Sequence, residues 1–288
     1  MNTRDMAPVT VVKLGGSAIT NKSKECTPDL RVIQDCTRQL ARFAKPLVIL
    51  HGGGSFAHPI VTRAHLQEGY KKKSQLNVIT ETELYLDQLT RIIGVSLLRN
   101  DRPFVALRPM SFVSLKNGEV ERVFLPPLKA ALNLGLTPLI HGDLVFDSER
   151  GISVLSADRI ASLLGVRLRA TRVLFGCDVD GVFSEDPRKS GNARLVKMVS
   201  EKNAQSVFRG IESARSSDAT GGMSGKVREA IRLAQHGVES RVFNLRKEGL
   251  LEEALLGRIS IGTVFLPWGM KFPARKLALW HGPRNRIE

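Results

Sequence analysis

The chain has 288 residues, 42% hydrophobic and 25% charged, the make-up of an ordinary soluble globular protein long enough for a sizeable core. No apolar stretch approaches the length of a membrane span and no secretory signal is readable at the start; three scattered cysteines (Cys26, Cys36, Cys177) exclude a disulfide framework, so a reducing, cytoplasmic setting is expected. The formal charge of +15 is unusual, but the basic residues are scattered and aromatics make up only 6%, so the charge reads as solvated or as steering anionic small molecules rather than binding nucleic acid.

In chain order, Val9–Leu14 reads as a short buried strand ending in Gly15-Gly16. Pro28–Phe43 has helical spacing, and Pro46–Leu50 is a second buried strand running into His51-Gly52-Gly53-Gly54. Leu76–Leu98 is a long helix and Phe104–Leu107 a strand. Phe112–Leu115 and Val120–Phe124 form a hairpin around Asn117-Gly118. Leu136–Ile140 is a strand ending at His141-Gly142-Asp143, and Ser156–Leu164 a helix opening with Ser156-Ala157-Asp158. Arg172–Phe175 is a strand followed by the turn Cys177–Val182. Gly225–His236 is a helix with Lys226 in its first turn, and Arg241–Asn244 and Thr263–Phe265 are closing strands. The basic tail Pro267–Glu288 yields no reading. Strands alternating with helices predict an α/β fold with a mostly parallel sheet covered on both faces.

Three glycine-rich segments stand out: Lys13-Leu14-Gly15-Gly16-Ser17, His51–His58, and Thr220-Gly221-Gly222-Met223-Ser224-Gly225-Lys226. Consecutive small residues let backbone N–H groups converge on an anion, and a helix N-terminus adds partial positive charge. In a parallel sheet such turns fall beyond the carboxyl ends of the strands, so one shared crevice handling several phosphates is expected. Phosphoryl transfer asks for positioning and positive charge more than covalent help, which makes Lys13, Lys22 and Lys226 the natural candidates. His58 reads either as an acceptor ligand or as a helix-start histidine. Asp158 reads as a lysine partner or a helix cap, and Asp178 and Asp180 as nucleotide contacts or turn aspartates; His51 and His141 read as structural. The P-loop pattern is absent because Gly225-Lys226 is followed by Val227, and the dinucleotide reading of Gly52–Ala57 lacks its acidic partner downstream.

Lys13–Ser17 with Ile19-Thr20-Asn21-Lys22, His51–His58, His141-Gly142-Asp143, Ser156-Ala157-Asp158, Asp178–Val182 and Asp218–Met223 together resemble the amino acid kinase superfamily, and within it the branch of isopentenyl phosphate kinases, over Val9 to Phe265. The resemblance implies a three-layer α/β/α sandwich forming one amino acid kinase-like domain over residues 1–288. An N-terminal lobe to about residue 170 would bind the phosphoryl acceptor and a C-terminal lobe from about 171 the nucleotide. It implies a cytoplasmic homodimer that moves the γ-phosphate of ATP onto isopentenyl phosphate in isoprenoid biosynthesis, with Mg²⁺ riding on the ATP oxygens. Lys13, Lys22, His58 and Asp158 would be catalytic. Lys13, Gly15, Gly16, Ser17, Gly54, Asp178, Asp180, Gly222 and Lys226 would bind ATP, and Gly53, His58 and Ala157 the acceptor. Ala57 and Ala157 stand where the branch usually has glycine, which bears on the acceptor. Val78, Ile79 and Leu84 are expected either beside the acceptor's apolar part or in plain helix core. Two alternatives stay open: a kinase for another phosphate or phosphonate, as in fosfomycin resistance, and a retired nucleotide- or nucleic-acid-binding member of the same fold.

Overall fold

The computed structural model describes residues 7–185, 187, 190–213, 222–258 and 262–269. The first half runs β1 (Thr10–Leu14), α1 (Gly16–Ile19), α2 (Leu30–Ala41), β2 (Leu47–His51), α3 (His58–Arg63), α4 (Gln75–Leu98), β3 (Phe104–Ala106), β4 (Val113–Lys116), β5 (Glu119–Val123) and α5 (Pro126–Asn133). The second half runs β6 (Thr137–His141), β7 (Asp143–Asp147), β8 (Gly151–Leu155), α6 (Ala157–Arg167), β9 (Arg172–Cys177), β10 (Met198–Val199), α7 (Ala204–Ser213), α8 (Gly222–Gln235), β11 (Glu239–Asn244), α9 (Leu250–Leu255) and β12 (Thr263–Phe265).

Among the described residues the larger sheet has eight strands in the order β10-β12-β11-β9-β1-β2-β6-β3, parallel throughout except for β11 against β12. Its central strands are apolar on both faces because helices cover both. Alternation sorts their side chains: Val12, Leu14, Ile49 and Leu174 pack with α2, α4 and α9, whereas Val11, Val48, Leu50, Val173 and Phe175 pack with α6 and α8. This is a three-layer α/β/α sandwich. The same alternation sends the Lys13 side chain to the α6–α8 side, the face of Val11.

The chain leaves β1 toward β2 on one side and later adds β9 on the other, so the order reverses at β1, where a ligand crevice is expected. A smaller sheet, β5-β4-β7-β8, stands beside that end. Its hairpin turns at Asn117 and Gly118 with φ of 50° and 78°, the left-handed pair that a two-residue turn requires. Asp147 ties this sheet together: its carboxylate accepts from the backbone N–H groups of Asn117, Gly118, Glu149 and Arg150 and from Ser153 Oγ, at 2.6–3.0 Å. Burial disfavours that carboxylate, but these donors outweigh it and hold the Asp147 carboxyl far below the usual range.

Helix α8 begins at Gly222, one turn earlier than the sequence predicts, so Lys226 lies in its second turn. Of the third glycine segment, Thr220 and Gly221 lie outside the described residues, as do Asp218 and Ala219 and most of the basic tail.

Candidate active site

The turns after β1, β2, β6 and β9 meet at one crevice of about 760 Å³, as the shared-crevice expectation requires. They are fastened side by side by extensions of the strand ladder: Gly15 N–H donates to Gly176 O at 2.9 Å, Gly52 N–H to Leu14 O at 3.0 Å and Gly142 N–H to His51 O at 3.0 Å. The first two turns also touch backbone to backbone. A Cβ on Gly16 would lie 2.4 Å from Gly54 N, and one on Gly54, whose φ is +51°, would lie 2.2 Å from Thr20 Oγ1. Thr20 clamps this contact, its hydroxyl donating to Gly16 O at 2.7 Å and accepting from Ser55 N–H at 3.0 Å. The sequence reading did not single out Thr20; its place in Ile19-Thr20-Asn21-Lys22 was the available signal.

Three charges form the centre. Ser156 caps α6, its Oγ accepting from Arg159 N–H at 3.2 Å, which sets Asp158 in the first turn. Asp158 Oδ1 lies 2.9 Å from Lys13 Nζ, and Lys226 Nζ reaches both carboxylate oxygens at 3.0 Å. All three are largely shielded, with Lys13 and Lys226 only 7% and 5% exposed. Burial lowers Lys13 to about 8 even though Asp158 pulls it up. Burial also opposes the charge on Lys226, but Asp158 more than compensates and raises it. For Asp158 itself burial loses to the two ammonium groups, which bring it down to about 2. The trio therefore carries a net single positive charge in a low-dielectric corner of the crevice.

Lys22 is not part of this trio. It is half exposed and donates to Asp178 Oδ2 at 3.1 Å, while Ser17 Oγ donates to Asp178 Oδ1 at 3.0 Å. Lys13, Gly15, Gly16, Ser17, Lys22, Gly53, Gly54, His58, Ala157, Asp158, Asp178, Gly222 and Lys226 all line the crevice. Asp180 is not among them: it accepts from Asn244 Nδ2 at 3.0 Å and Lys247 Nζ at 2.8 Å. Asp180 thereby anchors the β9 and β11 loops to one another.

His58 opens α3 on the far side of the second glycine turn. Beyond it the wall turns apolar, built by Val61 of α3, Leu86 of α4, Leu144 of β7, and Val154 and Leu155 of β8. Of the residues the sequence offered for this wall, Val78 and Ile79 do not line it but pack against the cluster of Val61, Leu66, Leu144 and Ile152, and Leu84 is 62% exposed. Helix α4 is apolar on more than one side, so its pattern does not reveal which face meets the crevice. Ala57 sits against Gly53, where a Cβ would come within 2.5 Å of the Ala57 methyl, and Ala157 N lies 2.8 Å from a Cβ placed on Gly142.

The model of the amino acid kinase family matches residues 8–244, and the chain belongs to that family. It is similar to the isopentenyl phosphate kinase of Methanothermobacter thermautotrophicus, 32% identical over 88% of this chain and 97% of that one, and to that of Methanocaldococcus jannaschii, 29% identical over 87% and 96%. A solved isopentenyl phosphate kinase structure, 30% identical, superposes with a TM-score of 0.78 over 89% of this chain and 99% of that one. The Thermoplasma acidophilum isopentenyl phosphate kinase product complex shares the fold at a TM-score of 0.70 and 20% identity, covering 89% and 99%.

Proposed function

We propose that the protein is a kinase that transfers the γ-phosphate of ATP to isopentenyl phosphate, giving isopentenyl diphosphate for isoprenoid biosynthesis. The carrying observation is the Lys13–Asp158–Lys226 trio, set between glycine turns suited to phosphates on one side and His58 with an apolar wall on the other. A phosphorylated head and a short hydrocarbon tail match those two surfaces. The likeness to isopentenyl phosphate kinases over nearly the whole of their length supports the same reading.

In this reading the acceptor phosphate oxygen attacks the γ-phosphorus in line, and the bond to the β-γ bridging oxygen breaks, releasing ADP. Lys13 stabilises charge on the transferring phosphoryl, and Lys22 joins it by exchanging Asp178 for phosphate. Lys226 holds the nucleotide phosphates, and Asp158 keeps the two buried ammonium groups in place. Gly15, Gly16, Ser17 and Gly54 offer backbone donors, and Asp178 and Gly222 border the nucleotide. Gly53, His58 and Ala157 border the acceptor phosphate. The residues up to about 170 present the acceptor side and those beyond it the nucleotide side. Mg²⁺ would be held by the ATP oxygens rather than by this chain's carboxylates, and would supply neutralisation of phosphate charge. The crevice aspartates are already engaged, Asp158 by lysines and Asp178 by Ser17 and Lys22, which favours phosphate and water as the ion's ligands.

The protein acts as a cytoplasmic homodimer. Its three cysteines are free thiols, and no helix among the described residues is long and apolar enough to cross a membrane. Helix α4 turns Leu76, Leu84, Val95 and Leu98 outward along one stripe, each more than 40% exposed, and this stripe suits a second copy.

The test is ATP turnover by purified protein with isopentenyl phosphate, alongside Lys22→Ala and His58→Ala. Rapid ADP release that falls by at least about a hundredfold in Lys22→Ala and mainly raises acceptor KM in His58→Ala is expected. Turnover of a phosphonate with none of isopentenyl phosphate would reassign the acceptor.

A further inference from the structure

Asp158 and Asp178 both line the crevice, and they hold their lysines in different ways. Asp158 is shared by two ammonium groups that are almost wholly buried with it. Asp178 holds one that is not: the Lys22 side chain is 54% exposed. Lys22 Nζ donates to Asp178 Oδ2 at 3.1 Å and Ser17 Oγ to Oδ1 at 3.0 Å, so both carboxylate oxygens are engaged. Lys22 and Ser17 line the crevice as well.

The pair meets across well-fixed backbone. Lys22 stands at the head of a short loop whose stem is closed by Asn21 N–H to Thr27 O and Asp29 N–H to Ile19 O, both at 2.8 Å. The loop also hangs on the second glycine turn, with Cys26 N–H donating to Ser55 O at 3.1 Å and Thr27 N–H to Ser55 Oγ at 3.3 Å. Asp178 follows β9, whose end is held by Gly15 N–H to Gly176 O at 2.9 Å and Leu245 N–H to Cys177 O at 2.8 Å. The part free to swing is therefore the long lysine side chain. An ion pair this exposed is weak, so a well-presented phosphate can take Lys22 from the carboxylate. Asp158 cannot serve in this way, because parting it from its lysines strands buried charge.

The proposed reaction brings two kinds of phosphate into one crevice, the γ-phosphate of a nucleotide and the monophosphate of the acceptor. An unpaired Lys22 would attract either. The γ-phosphate is tethered to a nucleotide held elsewhere by glycine turns and Lys226, so it meets Lys22 at a high effective concentration. A free monophosphate has no tether and must outcompete a carboxylate already in place.

We propose that Asp178 is a specificity-determining residue: its carboxylate reserves Lys22 for the tethered γ-phosphate and withholds it from a lone monophosphate, the acceptor included. The inference rests on the kinase reading above. Ser17 aims the carboxylate, fixing Oδ1 and leaving Oδ2 turned to Lys22.

The full-length parent, Asp178→Asn, Lys22→Met and the double variant are compared by calorimetric titration with ATP and Mg²⁺, without acceptor, over a series of inorganic phosphate concentrations. The rise in apparent ATP Kd gives the inhibition constant of phosphate. Asparagine keeps the shape of Asp178 and an acceptor for Ser17 but not the charge. Asp178→Asn is expected to lower that constant about three- to fivefold when Lys22 is present and less than about twofold in the Lys22→Met background. ATP itself should bind no more weakly. An equal fall with and without Lys22 overturns the proposal, since it reports only a negative charge removed from the field. So does an unchanged or raised phosphate constant, or weaker ATP binding by Asp178→Asn, which would make Asp178 a ligand of the nucleotide or its metal ion. In turnover assays, inhibition by excess isopentenyl phosphate, competitive with ATP, should set in at lower concentration in Asp178→Asn; its failure to do so overturns the claim for the acceptor. Thermal midpoints verify folding, and Asp178→Ser enters the same comparison if the asparagine variant does not fold. A parent that binds ATP without phosphorylating isopentenyl phosphate overturns the kinase reading alone, and the phosphate competition still decides Asp178; no ATP binding overturns both.

Discussion

The two sides of the crevice are built on opposite principles. The charged centre is buried and mounted on core elements: Lys13 on a central strand, Asp158 and Lys226 on two helices packed together, their charges satisfied by one another. The apolar wall, the acceptor side in the proposed reading, is lighter. Leu144, Val154 and Leu155 sit on the smaller sheet, whose two hairpins share one buried carboxylate, Asp147. A transferring phosphoryl is the same for every acceptor and rewards rigid, pre-paid electrostatics. An acceptor tail needs only shape and apolar contact, which a small sheet can supply and adjust without disturbing the charges.

Breaking the first side should cost most. Asp158→Asn leaves two buried ammonium groups facing each other without a carboxylate, a loss of about 3–5 kcal/mol by analogy with broken buried pairs. Turnover should drop about a thousandfold, read as ADP release, with a lowered thermal midpoint. A variant that stays within tenfold of the parent would show that the lysines position themselves.

Lys13 makes that side sensitive to alkali. In the proposed reading its ammonium is needed charged, and burial brings it down to about 8, so kcat/KM should fall as pH rises through that value. The limb should approach tenfold per pH unit, and a flat profile to pH 10 would detach Lys13 from the chemistry.

The second side should yield to Asp147→Ala. This substitution orphans backbone N–H groups in both hairpins and should cost roughly 3 kcal/mol of stability, raising acceptor KM about tenfold while ATP KM holds. Because the folded carboxyl lies below its unfolded value, its contribution is complete above pH about 4 and fades as pH falls toward the folded value. The parent should therefore lose more stability between pH 5 and about 3 than Asp147→Ala does, as followed by thermal melts. Equal shifts in both KM values would mean that the two sides are not independent.

The smallest effect on turnover is expected from Leu84→Arg on the exposed stripe of α4. It should leave kcat and both KM values within about twofold and shift the sedimentation coefficient toward the monomer. An unchanged dimer would place the interface elsewhere.

The same contrast governs what the sequence discloses. Strands β1, β2, β6 and β9 are short, largely apolar runs because both of their faces are buried, and each ends at a glycine turn, so the core sheet and its charged centre are legible. The hairpin at Asn117-Gly118 is legible for its turn chemistry. Strands β7 and β8 are not: Asp143, Asp147 and Ser153 interrupt their patterns, and the stabilising role of Asp147 lies in bonds to residues about 30 positions away. Short helices such as α3, begun at His58-Pro59, and α9 offer too few turns for periodicity to register. The inward face of α4 is hidden because Leu84, Val95 and Leu98 face out as Leu86 and Leu89 face in.

The contact between the first two glycine turns has an evolutionary corollary. Gly16 and Gly54 touch through main-chain atoms alone, with Thr20 closing over them, so neither position can gain even a methyl group without displacing the other. Drift in one turn is therefore coupled to drift in its neighbour, and single substitutions there are barred in both. Lineages that adapt this fold to new acceptors must leave that seam alone and diversify in the smaller sheet and the crevice-facing turn of α4, where one side chain can change at a time.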